Sequence, residues 1–113
     1  MKILVCITHV PDTTSKIQFT ADNTKFDSTG VQYIIGPYDD YALARAVELR
    51  DQASGKLTVL NVGEADSDPT LRKALAIGAD EAIRVNSSPK DSYFVAQQIA
   101  HYAKEGAYDL ILM

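Results

Sequence analysis

Cysteine, positive charge and long apolar runs are all scarce in this chain of 113 residues. The single cysteine, Cys6, cannot form a disulfide within the chain, so the sequence fits a reducing compartment. After Met1 and Lys2, the apolar stretch from Ile3 to Thr8 is shorter than the core of a secretory signal and far below the about 20 residues of a membrane span. A cytoplasmic domain without membrane insertion is expected. Eleven Lys and Arg against fifteen Asp and Glu give a net charge of −4. That balance argues against a duplex nucleic-acid binder, which needs a basic face to displace counterions. Neither a GxGxxG dinucleotide fingerprint nor a GxxxxGK[ST] phosphate loop occurs. Without paired cysteines or histidines at ligand spacing, no metal site is expected.

What is present has globular proportions: 46% hydrophobic and 23% charged residues, in a length that suits one domain. Three runs rich in β-branched residues, Lys2–Thr8, Lys56–Val62 and Glu81–Val85, read as strands, and Tyr108–Met113 reads as a fourth. The first and last are apolar almost throughout, as strands covered on both faces of a parallel sheet are. Between them lie helical patterns. Asp39–Ser54 carries Ala42, Ala46, Leu49 and Ala53, widened by Leu43 and Val47, with Gly55 as the expected stop. Ser67-Asp68-Pro69 announces a second helix, which turns Leu71, Ala74 and Leu75 inward and ends at Gly78. A third starts near Asp91 or Ser92, buries Val95, Ala96, Ile99, Ala100 and Ala103, and stops at Gly106. Alternating strands and helices predict a single α/β domain over residues 1–113, a Rossmann-like parallel sheet with flanking helices.

Two irregularities stand out. His9–Gly36 separates the first strand from the first helix, far beyond the usual βα loop of about 2–6 residues. There Lys16–Thr20 and Val31–Ile35 flank a polar stretch and predict a hairpin insertion. The chain also ends on an apolar strand with no helix after it, so self-association through that strand is expected.

Ligands of parallel sheets bind beyond the carboxyl ends of the strands. Those ends carry Thr8, His9, Val10 and Pro11 after the first strand, and Val62, Gly63 and Glu64 after the second. Gly63 either lets a ligand approach the backbone or only makes a turn. Cys6, near the same end, has no basic neighbour in its strand and reads as a small hydrophobe. Asp39 and Asp40, after Gly36-Pro37, either stabilise the helix start or wall a pocket. His9 and Asp12 are the one pair placed for acid–base work, as in a hydrolase, but no nucleophile accompanies them. His101 reads as a surface residue.

Taken in order, several segments resemble the β subunit of electron transfer flavoprotein: KILVCITHVPDT (Lys2–Thr13), SKIQF (Ser15–Phe19), GPYDDYALARAVELRD (Gly36–Asp51), LTVLNVGEA (Leu57–Ala65), PTLRKALAIGADEAIRV (Pro69–Val85) and YDLILM (Tyr108–Met113). The resemblance implies a non-catalytic electron carrier with an adenine nucleotide α-hydrolase-like fold. It implies pairing with an α subunit that holds most of an FAD, and transfer of electrons from dehydrogenases, such as the acyl-CoA dehydrogenases of fatty acid oxidation, to a quinone oxidoreductase. It implies a structural AMP site near Cys6, Gly36, Asp39, Val62 and Gly63, with Val10, Asp12 and Thr13 toward the flavin. The family usually has Asn at the position of Gly36, and its phosphate-binding loop follows the strand that ends here at Met113. The chain therefore reads as the N-terminal portion of a longer subunit, with AMP bound weakly or not at all. The alternative is a stand-alone adenine-nucleotide module resembling universal stress proteins.

Overall fold

Apolar residues alternate in the strands so that each face of the sheet meets its own helices. In this computed structural model, which describes residues 1–113, the first strand, β1 (Lys2–Cys6), lies beside β4 (Lys56–Gly63), both buried after their first lysine. Ile3, Val5, Leu57 and Val59 point to one face, where they pack on Leu43 and Ala46 of helix α1 (Pro37–Ala53) and on Leu71 and Ala74 of α2 (Asp68–Ile77). Leu4, Cys6 and Leu60 point to the other, against Ile99, Tyr102 and Ala103 of α3 (Ser92–Gly106). Each fully buried leucine contributes about 1.5–3 kcal/mol.

The four-stranded sheet has the order β5-β4-β1-β6, with β5 spanning Glu81–Asn86 and β6 spanning Leu110–Leu112, and every pairing is parallel. Cys6 stands opposite Leu60, and Val62 runs on beside Val85. The chain leaves β1 for β4 and β5 on one side, then returns to β6 on the other. Strand order therefore reverses at β1, the place where such sheets hold ligands.

The polar clamps are local. Asp80 follows α2 and accepts from the Leu57 amide at 2.8 Å and from Arg50 Nη1 at 3.0 Å. The LAIGAD run of the sequence thus ties α1, α2 and the start of β4 together. Those donors hold the Asp80 carboxyl below its ordinary pKa, the Leu57 amide foremost.

Several expectations need correction. The excursion after β1 does not pair Lys16–Thr20 with Val31–Ile35. Its outer ribbon joins β2 (His9–Pro11) to β3 (Tyr33–Ile35), antiparallel. Inside it, Phe19 bridges Phe26, around a turn in which Asn23 takes a φ of 57°. Pro11 donates nothing, and an edge ribbon tolerates that. Ser67 does not cap α2 with its side chain, because a 3-10 turn, Ala65–Ser67, already leads into the helix. Leu75 is exposed; α2 presents Thr70, Leu71 and Ala74 to the interior instead, with Ser67 buried just before it. On α3, Ala96 and Ala100 face solvent while Val95, Ile99, Tyr102 and Ala103 are half-buried. An alanine-rich run leaves the helix phase ambiguous, because alanine is tolerated on either side. The residue closing α1 in the left-handed region is Ser54, with φ 51°, and Gly55 follows it.

Candidate functional site

Where the β1–β4 ladder runs out, side chains take over its hydrogen bonding. The Ile7 amide donates to Leu60 O at 2.9 Å, and Asn61 Nδ2 donates to Ile7 O at 3.0 Å. One residue further on, the Thr8 amide and hydroxyl both donate to Asp39 Oδ2, at 2.9 and 2.6 Å. The Gly36 amide donates back to Thr8 O at 3.1 Å. Strand β1 is thereby fastened to the first turn of α1, and the neck of the long excursion is closed. On the far side, Arg84 of β5 donates to Gly63 O at 3.2 Å and to Asp68 Oδ1 at 2.7 Å, which holds the end of β4 against the start of α2.

Over these pinned ends lies a cleft of about 900 Å³. Cys6, Leu60 and Val62 line it from the α3 face of the sheet, and Asn61, Gly63 and Ser67 from the α2 face. Thr8, His9, Tyr33 and Asp39 form the side toward the excursion, and Met113 borders it beyond β6. Of the residues singled out in the sequence, Cys6, Asp39, Val62 and Gly63 meet in this cleft. Gly36 stands one layer back, behind Thr8 and Asp39. A Cβ there would sit 2.3 Å from Thr8 Oγ1 and 2.6 Å from Asp39 Oδ2. The hydroxyl and carboxylate fill the space an asparagine would need, so glycine and the Thr8–Asp39 bond go together. Asp39 caps nothing: the α1 N-terminus has no side-chain cap.

Two features of the cleft were not read from the sequence. Asn61 is 4% exposed, and its Oδ1 has no hydrogen-bond partner. A buried acceptor left unpaired costs roughly 1–3 kcal/mol. The Cβ that Gly63 lacks would stand 2.7 Å from both that oxygen and Ser67 Oγ, so these two side chains close in over the glycine and leave no room for a larger residue. The signal was a polar residue inside the apolar run LTVLNV. Its hydrogen-bonding need is visible in sequence; its partner across β1 is not.

His9 and Asp12 do not form a pair. His9 stacks on Tyr33, with ring centroids 4.3 Å apart, and its Nδ1 lies 2.7 Å from Thr70 Oγ1. Asp12 is engaged by the amide and hydroxyl of Thr14. Burial pushes the His9 pKa down, against the pull of Asp66. The Cys6 thiol is pushed up to about 11, by burial first and Asp39 second, so it stays protonated at neutral pH.

Comparison with known proteins decides the family. Residues 23–113 match the model of the electron transfer flavoprotein domain. The chain belongs to the electron transfer flavoprotein family. It is 34% identical to the electron transfer flavoprotein subunit beta of Bacillus subtilis (strain 168), over 99% of this chain and 44% of that protein. It is 46% identical to protein FixA of Azorhizobium caulinodans, over 74% of this chain and 29% of that one. It is 32% identical to the acryloyl-CoA reductase electron transfer subunit gamma of Anaerotignum propionicum, over 77% and 32%. The chain thus spans less than half the length of these relatives. Family membership agrees with the parallel α/β fold read from the sequence. No helix of this flavoprotein-family chain is long and apolar enough to cross a membrane.

The family implies flavin-linked electron transfer. The apolar walls of the cleft at Cys6, Leu60 and Val62 would suit a flat, apolar group.

Proposed function

We propose that this chain is a β-type component of an electron transfer flavoprotein, working with an α subunit that carries most of an FAD. The whole assembly takes electrons from dehydrogenases and passes them to a quinone oxidoreductase, in a cytoplasmic setting. The cleft around Cys6, Asp39, Val62 and Gly63, backed by Gly36, holds the adenosine part of an AMP whose role is structural. The observation that carries this reading is the coincidence of the cleft with the point where strand order reverses, in a chain of this family.

Bound flavin would supply the acceptance and release of electrons. The residues of this chain would bind and orient. Asn61 and Arg84 hold the ends of β1 and β4, Thr8 and Asp39 hold the neck of the excursion, and the walls at Cys6 and Val62 exclude water from a base.

The test is to mix the chain with a flavin-bearing α subunit of the family and follow co-elution and flavin fluorescence. Joint elution with altered flavin emission is expected. Separate elution with unchanged emission would refute the pairing. Adenine nucleotide bound by the chain, with no response to any flavin partner, would favour the stand-alone nucleotide module.

A further inference from the structure

The excursion between β1 and α1 is held to the body at few points. Of residues 9–35 only Ile35, at the base of β3, is fully buried. Inside the excursion the main chain bonds to itself: the Asp12 amide donates to Gln32 O at 2.7 Å, and the Asp27 amide to Gln18 O at 2.8 Å. The neck is closed by residues on either side of it, through Thr8, Gly36 and Asp39. No ion pair joins residues 9–35 to the rest of the chain, and one hydrogen bond does: His9 Nδ1 lies 2.7 Å from Thr70 Oγ1. Beside that bond a cavity of about 360 Å³ opens between Ser28 and Tyr33 of the excursion and Asp66 and Pro69 of the body. A two-stranded ribbon is marginal on its own, so β2 and β3 depend on this attachment.

The attachment titrates on one side only. Thr70 is 5% exposed on the first turn of α2, and His9 is half-buried against Tyr33. A neutral imidazole meets the Thr70 hydroxyl as donor or as acceptor; an imidazolium can only donate. Protonation also places a charge where hydration is partly lost. The titratable and charged groups around the ring are Tyr33 from β3, Asp66 from the 3-10 turn, Cys6 from β1, Glu64 after β4, Asp39 from α1 and Lys25 from the excursion. Asp68, on α2 itself, is engaged by Arg84. Asp66 favours the charged ring, but burial outweighs it and holds the His9 pKa below its ordinary value. The docked excursion therefore prefers neutral His9. Docking is at full strength above the free value of about 6.5 and weakens as pH falls from there through the folded value.

We propose that residues 9–35 form a strap latched to α2 by neutral His9, and that protonating His9 releases it, opening the wall of the cleft built by Lys25, Phe26 and Tyr33. The neck through Thr8, Gly36 and Asp39 stays closed and acts as the hinge. The device does not depend on what occupies the cleft.

The experiment is amide hydrogen exchange of the 113-residue chain at pH 8 and pH 5, corrected for the intrinsic pH dependence of exchange, with the His9 ring followed by NMR. Protection of the Asp12 and Asp27 amides should fall severalfold as His9 protonates, while that of the Ile7 and Gly36 amides holds. His9→Gln keeps an uncharged partner for Thr70 and should abolish the fall. Thr70→Val, close to threonine in shape, should leave the Asp12 and Asp27 amides weakly protected at both pH values and return His9 toward its ordinary pKa. Protection unchanged while His9 titrates would overturn the proposal. So would a His9→Gln protein that loses protection with acid as the parent does, or a Thr70→Val protein as protected as the parent at pH 8. Loss at the Ile7 and Gly36 amides together with the others would make the transition general unfolding, and would overturn the latch as well.

Discussion

Replacing Gly63 by alanine tests whether the cleft floor is built as described. The new Cβ would stand 2.7 Å from Asn61 Oδ1 and from Ser67 Oγ, well inside the 3.4 Å at which ordinary contact begins. Ser67 can yield by rotating its hydroxyl. Asn61 cannot yield so cheaply, because its Nδ2 is bonded to Ile7 O at 3.0 Å in the middle of the sheet. Overpacking of a filled interior costs about 1–3 kcal/mol. Removing a glycine from the unfolded chain returns about 0.4–1 kcal/mol. The net loss should be about 1–2 kcal/mol, or a fall in melting temperature of very roughly 4–16 °C for a domain near this size. Urea and thermal unfolding followed by circular dichroism would measure it. A double-mutant cycle with Asn61→Ala sharpens the test. Truncating Asn61 removes the obstacle, so the two losses should fall short of additivity by about 1 kcal/mol. A Gly63→Ala protein as stable as the parent, or a cycle that is strictly additive, would refute the geometry of the floor.

Asp80→Asn should weaken the protein at neutral pH and flatten its response to acid. The folded pKa of Asp80 is depressed by the Leu57 amide and Arg50, so its contribution is present above the unfolded value of about 3.9 and is lost as pH falls through the folded value. Urea midpoints between pH 7 and pH 2 should converge for parent and variant at the acid end; a constant gap would sink this account. Self-association of the chain should run through β6, a three-residue edge strand on which Ile111 is 41% exposed, with Met113 after it 71% exposed. Sedimentation should show concentration-dependent dimers that Ile111→Lys abolishes, and a monomer at every concentration would refute it.

Much of the scaffold was legible because its signals are local. The run KILVC is apolar on both alternations, and only a strand covered on both faces asks for that. Gly78 and the Asp91 cap punctuate their helices through single-residue chemistry. Cys6, Asp39, Val62 and Gly63 could be gathered in advance because a parallel sheet puts strand ends and helix starts at one edge. What was not legible depends on partners distant in sequence. Arg84 looks like one polar position in EAIRV; its hold on Gly63 O exists only once β5 lies beside β4. The excursion misled because Lys16–Thr20 and Val31–Ile35 both carry strand-like residues. The short HVP segment that pairs with Tyr33–Ile35 reads only as the start of the loop after the first strand, because three residues carry too little pattern to announce a strand.

The polar residues of the cleft share one origin. A parallel ladder ends with main-chain groups that have lost their neighbours, and buried groups of that kind need partners. Asn61 supplies one to Ile7 O, Asp39 to the Thr8 amide, and Arg84 to Gly63 O. Each of these side chains has more hydrogen-bonding capacity than the pinning uses. Asp39 keeps its other carboxylate oxygen, Asn61 keeps its single amide oxygen without a partner, and the further donors of Arg84 go to Asp68 and Asn86. Finishing the strand ends therefore sets the polar groups at the edge of the cleft. Asp39→Asn keeps an acceptor for Thr8 and removes the charge. Its amide oxygen can still accept from Thr8, so the unfolding midpoint should change little; a loss as large as that of Asp39→Ala would refute this account.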